Sequence, residues 1–363
     1  MNKTYYKRLG DYIREVDSRN RDLAVTRLLG VSISKEFMPS IANTIGTDMS
    51  SYKIVRREQF AYGPVTSRNG DKVSIALLSD DVPAIISQAY TVFEITDKNL
   101  LLPAYLMMWF RRPEFDRYAR YHSHGSAREV FDWEAMCDVR LPIPPISRQR
   151  EIVAEYETLT SRIRLNERLI STLESAAQTL YRRTFVDNID PAHLPPGWRT
   201  GTLSEIASVT SGKTLTDKRD VADCIYKYPI AGAAGIIGYA KEENQRSRFL
   251  TTGRVGTIGI VNKYDEPCWT ADNVLVVKSD FYEYVYQYLK GFKYEEIMKG
   301  GVQSLITQSS LNEAEILIPD IPILEAFEKK AQSISRLVKL KKQEISNLTN
   351  LLSLLLARMG MHL

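Results

Sequence analysis

Cysteine and histidine are scarce in this chain, with three and four residues among 363. Cys137, Cys224 and Cys268 are widely spaced and odd in number, so a disulfide framework is not expected. His122 and His124 have no Cys, Asp or Glu beside them, which is a poor pattern for metal ligands. No Cys/His nucleophile pair and no paired carboxylates stand out. The sequence therefore predicts no catalytic residue and no metal site.

Long apolar runs are also lacking. The strongest, Leu348–Ala357, is interrupted by polar residues and is far shorter than the roughly 20 residues that span a bilayer. The first eight residues have no apolar core of the kind a signal peptide carries. We therefore expect a cytoplasmic protein without a membrane anchor. At roughly 100 to 200 residues per domain, the length indicates two or three domains.

A large excess of positive charge is absent as well. Lys and Arg number 48 against 44 Asp and Glu, a formal net charge of +4. Non-specific nucleic-acid binders are more unbalanced, because each phosphate contact releases counterions and so rewards every added cation. No segment is a basic arm. If the chain binds DNA, it does so through local patches and through shape.

What the sequence does contain is an internal repeat with an offset of 175 residues. The stretch Gly125–Arg183 aligns without a gap on Gly300–Arg358, and the apolar pattern agrees better than the identities do. In the first copy, residues spaced alternately by four and three are Ile152, Tyr156, Leu159, Ile163, Asn166, Ile170, Leu173, Ala177 and Leu180. In the second they are Phe327, Ala331, Ile334, Val338, Lys341, Ile345, Leu348, Leu352 and Leu355.

This spacing predicts a coiled-coil seam rather than the face of a globular helix. The alternative is two unrelated amphipathic helices, each packed on a separate core. Asn166 and Lys341 are the polar centres of the two runs. If the helices pair antiparallel about a pseudo-twofold axis, these two side chains should meet in the middle of the seam, unless both reach out to solvent.

The repeat divides the chain into four parts. Proline clusters at 142–145 and 319–322 precede the heptad runs and mark helix starts. Upstream of each helix, alternating β-type runs and glycine-rich turns indicate a small mixed α/β globule. The predicted parts are a first domain at 1–143, a helix at 144–187, a linker and second domain at 188–319, and a helix at 320–363. The fold class is thus mixed α/β, with two loop-rich domains, two long paired helices and a pseudo-twofold repeat.

Two glycine-containing motifs and one basic segment invite a functional interpretation. Ala207–Thr214 is close to a phosphate loop but lacks the expected strand before it and helix after it, which favours a DNA-facing loop over a nucleotide site. Gly253–Gly259 has the wrong spacing for a dinucleotide fingerprint. It is either a set of hairpin turns or a turn that presents Arg254 to DNA. The arginines at 111, 112, 117 and 120 form a solvated helix face or a phosphate-contacting edge.

Two further segments complete a family pattern. They are Leu141–Val153, with its Pro-Pro-x-x-x-Gln-x-x-Ile motif leading into the first heptad helix as far as Phe185, and Leu194–Ala207, which opens with Leu-Pro-Pro-Gly-Trp. Together with Ser87–Phe93 and Trp269–Val277, they make nearly the whole chain resemble the DNA-specificity subunit of type I restriction–modification systems. The second helix start departs from the pattern, because Pro319–Ala326 lacks the expected glutamine.

The resemblance implies a non-catalytic subunit that reads a bipartite double-stranded DNA target, one half with each recognition domain. It further implies two adenine methyltransferase subunits docked on the helices and motor–endonuclease (restriction) subunits added to that core. S-adenosylmethionine, ATP and magnesium would then belong to the partner subunits, and this chain would carry no cofactor. The alternatives are a coiled-coil scaffold that does not read DNA and a specificity subunit of a fused system outside type I.

Candidate DNA contacts follow from side-chain chemistry, since Arg and Lys suit guanine edges or phosphates whereas Gln and Asn suit adenine. In the first domain they are Arg68, Asn69, Lys72, Ser126 and Arg128. In the second they are Lys213, Thr214, Arg254, Thr257, Lys263, Gln303 and Thr307. For each of them, a phosphate contact or a solvated position is the competing interpretation.

Overall fold

The computed structural model describes residues 6–40, 46–66, 72–125, 129–187, 189–255, 257–298 and 305–360. The chain forms two compact units. One comprises Met1–Leu165 with Glu344–Leu363, and the other comprises Asn166–Gln343. Each long helix contributes residues to both units, so a unit consists of one sheet-rich domain together with the helix segments that pack on it. None of the described helices is long and apolar enough to span a membrane.

Among its described residues, the first unit contains ten strands and three short α-helices before its long helix. The strands are β1 (Tyr6–Arg8), β2 (Ile13–Glu15), β3 (Leu29–Val31), β4 (Phe37–Pro39), β5 (Lys53–Val55), β6 (Phe60–Tyr62), β7 (Ile75–Leu77), β8 (Ala84–Ile86), β9 (Thr91–Ile95) and β10 (Arg140–Pro142). The helices are α1 (Pro103–Phe110), α2 (Pro113–Tyr121), α3 (Trp133–Cys137) and the long α4 (Ile146–Phe185). Proline at the first position of α1 and α2 costs no hydrogen bond, because that N–H has no partner within the helix.

The second unit repeats this plan. Its strands are β11 (Arg199–Thr202), β12 (Ser208–Ser211), β13 (Tyr228–Gly232), β14 (Gly235–Ala240), β15 (Phe249–Gly253), β16 (Val261–Tyr264), β17 (Trp269–Thr270), β18 (Val274–Lys278) and β19 (Glu315–Ile318). Its helices are α5 (Tyr282–Gly291), α6 (Gln308–Asn312) and the long α7 (Ile321–Arg358).

The two domains share the strand order of their main sheet and the ladder that closes each domain. The remaining strands pair differently, β3 with β4 and β5 with β8 in the first domain, and β13 with β14 and β17 in the second. The main sheet has the order β2-β9-β6-β7 in the first domain and β12-β18-β15-β16 in the second, with all neighbours antiparallel. A short ladder closes each domain, β1 with β10 and β11 with β19. The helices α3 and α6 lie 175 residues apart in sequence, and so do the starts of α4 and α7. The repeat inferred from sequence is therefore a structural one.

Equivalent hydrogen bonds support the same correspondence. The amide of Leu9 donates to the carbonyl of Val139, and that of Leu203 donates to Ala314, at 2.8 and 2.9 Å. The hydroxyl of Tyr105 donates to the carbonyl of Pro142, and that of Tyr284 donates to Leu317. Both tyrosine rings are completely buried, so each ring occupies the core while its hydroxyl holds the strand that leads into a long helix.

Each domain core continues onto the long helices. In the first unit Phe60, Phe93 and Phe110 pack together at the centre. Ile152 of α4 and Met359, which follows α7, pack against the same cluster. In the second unit Tyr181, Phe185, Tyr284 and Phe327 form an aromatic cluster between the domain and both helices. Because the helices complete the cores, each domain is fixed on its own helix segments.

The heptad positions predict the burial along the long helices. All nine seam positions of α4 and all nine of α7 are buried or half-buried, while most positions between them are exposed. In the first unit Arg162 pairs with Glu344, and Ile152 lies beside Leu355. In the second, Glu174 pairs with Lys342, and Tyr181 contacts Phe327. In both units, residues later in α4 contact residues earlier in α7, so the helix segments pair antiparallel as predicted.

Candidate nucleic-acid interface

In the second domain, three loops converge at one end of the main sheet. The amide of Lys213 donates to the carbonyl of Thr270 at 2.9 Å, and the Thr214 hydroxyl donates to a carboxylate oxygen of Asp272 at 2.8 Å. The amide of Arg254 donates to the carbonyl of Asn273 at 2.9 Å, and the Arg254 carbonyl accepts from Ile306. The segment 270–273 thus bonds to residues 213–214 and to Arg254, and Arg254 in turn bonds to Ile306.

Glycine at 212 is required for this convergence. A Cβ atom there would lie 1.8 Å from the carbonyl oxygen of Ala271, which is backbone and cannot move aside. The close approach explains the Ser-Gly-Lys-Thr motif without a nucleotide. Although strand β12 precedes it, no helix begins in residues 212–227, all of which the structure describes. A phosphate loop needs that helix N-terminus, so the preference for a loop over a nucleotide site agrees with the local structure.

The predicted contact residues of this loop cluster differ in the exposure and the hydrogen bonding of their side chains. Lys213 is exposed, while Arg254 and Thr257 are half-buried. Thr307 caps helix α6, since its hydroxyl accepts the amide of Ser310 at 3.0 Å. A capping threonine stabilises a helix end whether or not DNA is present. Among the described candidate residues of this end of the domain, Lys213 and Arg254 are therefore the cations that it offers to a nucleic acid, and their role in reading DNA stays a prediction.

Lys263 lies elsewhere, on strand β16, and its side chain reaches the long helix α7. Its ammonium forms an ion pair with Glu283, donates to the Ser335 hydroxyl at 2.7 Å, and lies 3.9 Å from the centre of the Tyr286 ring. The side chain of Lys263 is 24% exposed and that of Glu283 is 4% exposed. Burial lowers the pKa of Lys263, and Glu283 opposes that shift. These contacts favour a structural role for Lys263 over the DNA contact expected from sequence.

In the first domain the loops around helix α2 form the corresponding surface. The amide of Thr66 donates to the carbonyl of Glu129 at 2.9 Å, its hydroxyl donates to Ser123, and the amide of Val73 donates to Asp116 at 3.0 Å. Lys72 is exposed beside this cluster. Arg68, Asn69, Ser126, Arg128 and, in the second domain, Gln303 lie outside the described residues.

The basic helix face expected from sequence is smaller than its four arginines suggest. Arg112 is 6% exposed and lies over the Trp109 ring, 4.2 Å from its centre. Arg111 is half-buried and donates to the Tyr156 hydroxyl at 2.6 Å. The exposed residues are Arg117, Arg120 and, beside them, Tyr121 at 82%. An exposed aromatic ring next to cations suits stacking on nucleic acid, a feature that the sequence pattern alone did not single out.

Two polar residues at the domain–helix junction, one buried and one half-buried, were also missed as structural elements. Gln149 is fully buried at the start of α4, where it accepts the amide of Leu102 and donates to the carbonyls of Leu100 and Pro144 at 2.8 Å each. In the second unit Glu328 accepts the amide of Tyr284 at 2.7 Å, and burial raises its pKa. The absence of a glutamine in the second helix start is thus accompanied by a different junction.

Asn166 is 3% exposed in the seam of the second unit, and its amide nitrogen has no hydrogen-bond partner. Lys341 is half-buried. An unsatisfied buried donor costs about 1–3 kcal/mol, while a polar seam residue disfavours slipped registers, in which it would face apolar side chains. Whether Asn166 and Lys341 meet at the seam centre stays a prediction.

We therefore expect Asn166→Leu to raise the free energy of unfolding by about 1–3 kcal/mol, because the unsatisfied amide is removed from an apolar seam. Urea titration followed by circular dichroism measures this change. Asn347→Leu on the exposed face of α7 is the control and should leave the midpoint almost unchanged. A lower midpoint for Asn166→Leu would mean that the amide is satisfied by water or a neighbour and contributes to stability.

The architecture defines a class of protein: two copies of a sheet-rich domain, each mounted on a coiled-coil segment and each exposing a cluster of loops. Residues 195–350 match the family model for the type I restriction modification DNA specificity domain. The type I restriction enzyme HindI specificity subunit of Haemophilus influenzae is 19% identical, with 97% of each chain covered. The type I restriction–modification S subunit from M. genitalium superposes with a TM-score of 0.66 at 14% identity, covering 100% of this chain and 98% of that one.

A further solved chain, from a structure of complex assembly and conformational transition of the type I R-M system, gives a TM-score of 0.50 at 19% identity, with 98% of this chain and 97% of that chain covered. The likeness to the solved structures is one of fold. Taken with the family match, it confirms the resemblance drawn from the sequence. The chain is similar over nearly its whole length to DNA-specificity subunits of type I restriction–modification systems, and its residues 195–350 match the domain model of that family.

Proposed function

We propose that this chain is the specificity subunit of a type I restriction–modification complex, in which each sheet-rich domain reads one half of a split DNA target. The observation that carries the proposal is the duplication: two domains with the same main-sheet order, each with loops gathered at one end, and one of them matched by the specificity-domain model. A bipartite target needs two readers held at a fixed separation. The paired helices supply the fixed connection.

Reading would rest on local contacts because the chain has no large positive field. Lys213 and Arg254 in the second domain, and Lys72, Arg117 and Tyr121 in the first, are the described side chains best suited to phosphates, base edges or stacking. The nearly balanced charge also limits non-specific binding, which rises with every phosphate neutralised. Such a subunit would act where the genome is, in the prokaryotic cytoplasm.

Catalysis would belong to the partners. The proposed partners are two adenine methyltransferase subunits, which supply S-adenosylmethionine chemistry, and restriction subunits, which use ATP and magnesium. The chain's contribution is to hold the methyltransferases over the two half-sites. The fused, non-type-I arrangement would use this chain in the same way.

Exposed leucines on the long helices fit a docking role. In the second unit Leu337 and Leu340 are 39% and 55% exposed, and in the first Leu351 and Leu354 are 52% and 66% exposed. The members of each pair are three residues apart on one helix face, immediately beside seam positions. Large apolar residues repeated on an exposed helix face indicate a protein interface. We assign this face to the methyltransferase subunits, because α7 presents it in both units.

The proposed function predicts that each domain determines one half-site independently. Replacing residues 1–143 with the corresponding domain of another specificity subunit should change one half of the methylated motif and leave the other half and the spacer intact. The measurement is sequencing of methylated adenines in cells that express the chimera with the methyltransferase subunits. The unmodified chain serves as the control. A change in both halves would contradict divided reading, and a coiled-coil scaffold without DNA reading would give no motif at all.

A further inference from the structure

Lys263 connects the second domain to its long helix. Lys263 lies on β16, and its carboxylate partner Glu283 lies on α5 of the same domain. Ser335, whose hydroxyl accepts a hydrogen bond from the Lys263 ammonium, lies on α7. The ion pair therefore stays within the domain, whereas the hydrogen bond at 2.7 Å reaches the helix. A hydrogen bond from a charged donor is stronger than a neutral one, so it resists displacement of the domain along the helix as well as adding stability.

The first domain has no such connection at the equivalent place. In the first domain, Leu77 pairs with Phe60, which pairs in turn with the central strand β9. In the second, Lys263 pairs with Leu250, which pairs in turn with the central strand β18. Leu77 and Lys263 therefore occupy equivalent positions. Ala104 precedes Tyr105 as Glu283 precedes Tyr284, the two tyrosines whose hydroxyls make equivalent bonds. Where the second domain has a half-buried lysine and a buried glutamate, the first has two apolar residues, Leu77 and Ala104.

Buried ions are not needed to hold such a junction. Well-packed apolar residues often replace a buried ion pair without loss of stability. The ion pair fixes the position of the Lys263 ammonium, because Glu283 holds it where it donates to the Ser335 hydroxyl of α7. Two further polar links run beside it, from Lys339 to Asp265 at 3.1 Å and from the Tyr284 amide to Glu328 at 2.7 Å. Of these three polar links, the lysine link is the one that joins a largely buried side chain to a side chain of α7.

We propose that Lys263 is a positioning residue, which through Glu283 and Ser335 fixes the second recognition domain on α7 and thereby restricts the spacing at which the second half-site is accepted. The inference rests on the proposed function, since it concerns how that function is made precise. Lys263 does not touch DNA in this assignment. Its effect is exerted through the orientation of the domain that carries the reading loops around 270–273.

The test uses Ser335→Ala, which removes the helix end of the connection and leaves the ion pair inside the domain. Ser333→Ala is the matched control, because its hydroxyl donates to the Lys329 carbonyl of its own helix and is exposed. Each full-length chain is co-expressed with its methyltransferase subunits. Methylation is then measured on DNA that carries the native motif and on DNA with the second half-site displaced by one base pair.

We expect Ser335→Ala to reduce discrimination against the displaced site by roughly tenfold, the factor that one hydrogen bond to a charged group represents. Methylation of the native motif and the melting temperature should change little. Ser333→Ala should behave as the unmodified chain does. Undiminished discrimination in Ser335→Ala would overturn the positioning role. Absence of any bipartite motif with the unmodified chain would instead overturn the proposed function.

A second variant separates stability from position. Lys263→Leu combined with Glu283→Ala copies the apolar arrangement of the first domain, represented there by Leu77 and Ala104. The melting temperature should return to within a few degrees of the unmodified chain, whereas Lys263→Met alone, which leaves a buried carboxylate unpaired, should lower it. The double variant should still accept the displaced half-site. Recovery of both melting temperature and discrimination would show that packing alone positions the domain.

Discussion

Inserting four residues after Asn166 should lengthen the spacer of the methylated motif by about one to two base pairs. Four residues add about 6 Å of helix against about 3.4 Å per base pair, and they are close to one full turn, so the seam keeps its face. Helix α4 has 40 residues, about 60 Å, and the insertion falls near the middle of its heptad run. The two half-sites themselves should be unchanged, because no residue of either loop cluster is altered.

The experiment is sequencing of methylated adenines in cells that express the insertion variant and the methyltransferase subunits. The control is the same four residues inserted after Asp190, in the exposed segment between the end of α4 and strand β11. That insertion lengthens a connection without lengthening the helix pair, so the motif should stay as it was. An unchanged spacer after the helix insertion would show that the paired helices do not set the separation of the half-sites.

Replacing Leu337 and Leu340 together by glutamate should abolish methylation in cells. Both side chains are exposed, so the isolated chain should fold with nearly the same melting temperature. Burying two carboxylates in an apolar interface would be strongly unfavourable, and leucine contacts at the centre of an interface would be lost as well. We expect affinity for the methyltransferase subunits to fall by roughly 100-fold or more.

Co-purification of the tagged chain with the methyltransferase measures the interaction, and adenine methylation measures its consequence. Gln332→Glu with Gln343→Glu is the control, because it adds the same charge to exposed positions of α7 outside the leucine face. This control should retain the partner. A glutamate variant at 337 and 340 that still co-purifies with the methyltransferase would move the docking site away from this face.

The helix pair was predictable because its information is local and periodic. Apolar residues repeated every 3.5 positions specify a seam, and the offset of 175 residues links the two copies without any knowledge of tertiary contacts. The proline clusters placed the helix starts within a few residues of Ile146 and Ile321. The mixed α/β character of the two globules followed from alternating runs and glycine turns in the same way.

Side-chain roles in the loop-rich domains were less predictable, since they depend on which distant segments converge. Lys263 appeared as one more basic residue after a glycine-rich stretch, and only the packing of β16 against α5 and α7 shows its ion pair with Glu283. Arg111 and Arg112 appeared to extend a basic face, yet one donates to Tyr156 and the other lies over Trp109. Burial decided each case, and burial is not a property of the local sequence.

The amino-acid sequence by itself determined the duplication, the coiled-coil helices, the absence of an evident catalytic group and the family resemblance. These depend on residue periodicity and on contiguous motifs. The tertiary structure alone decided which cations remain available to DNA, why Gly212 is required beside Ala271, and how each domain is joined to its helix. These depend on backbone approach and desolvation between segments far apart in the chain, which short-range patterns do not encode.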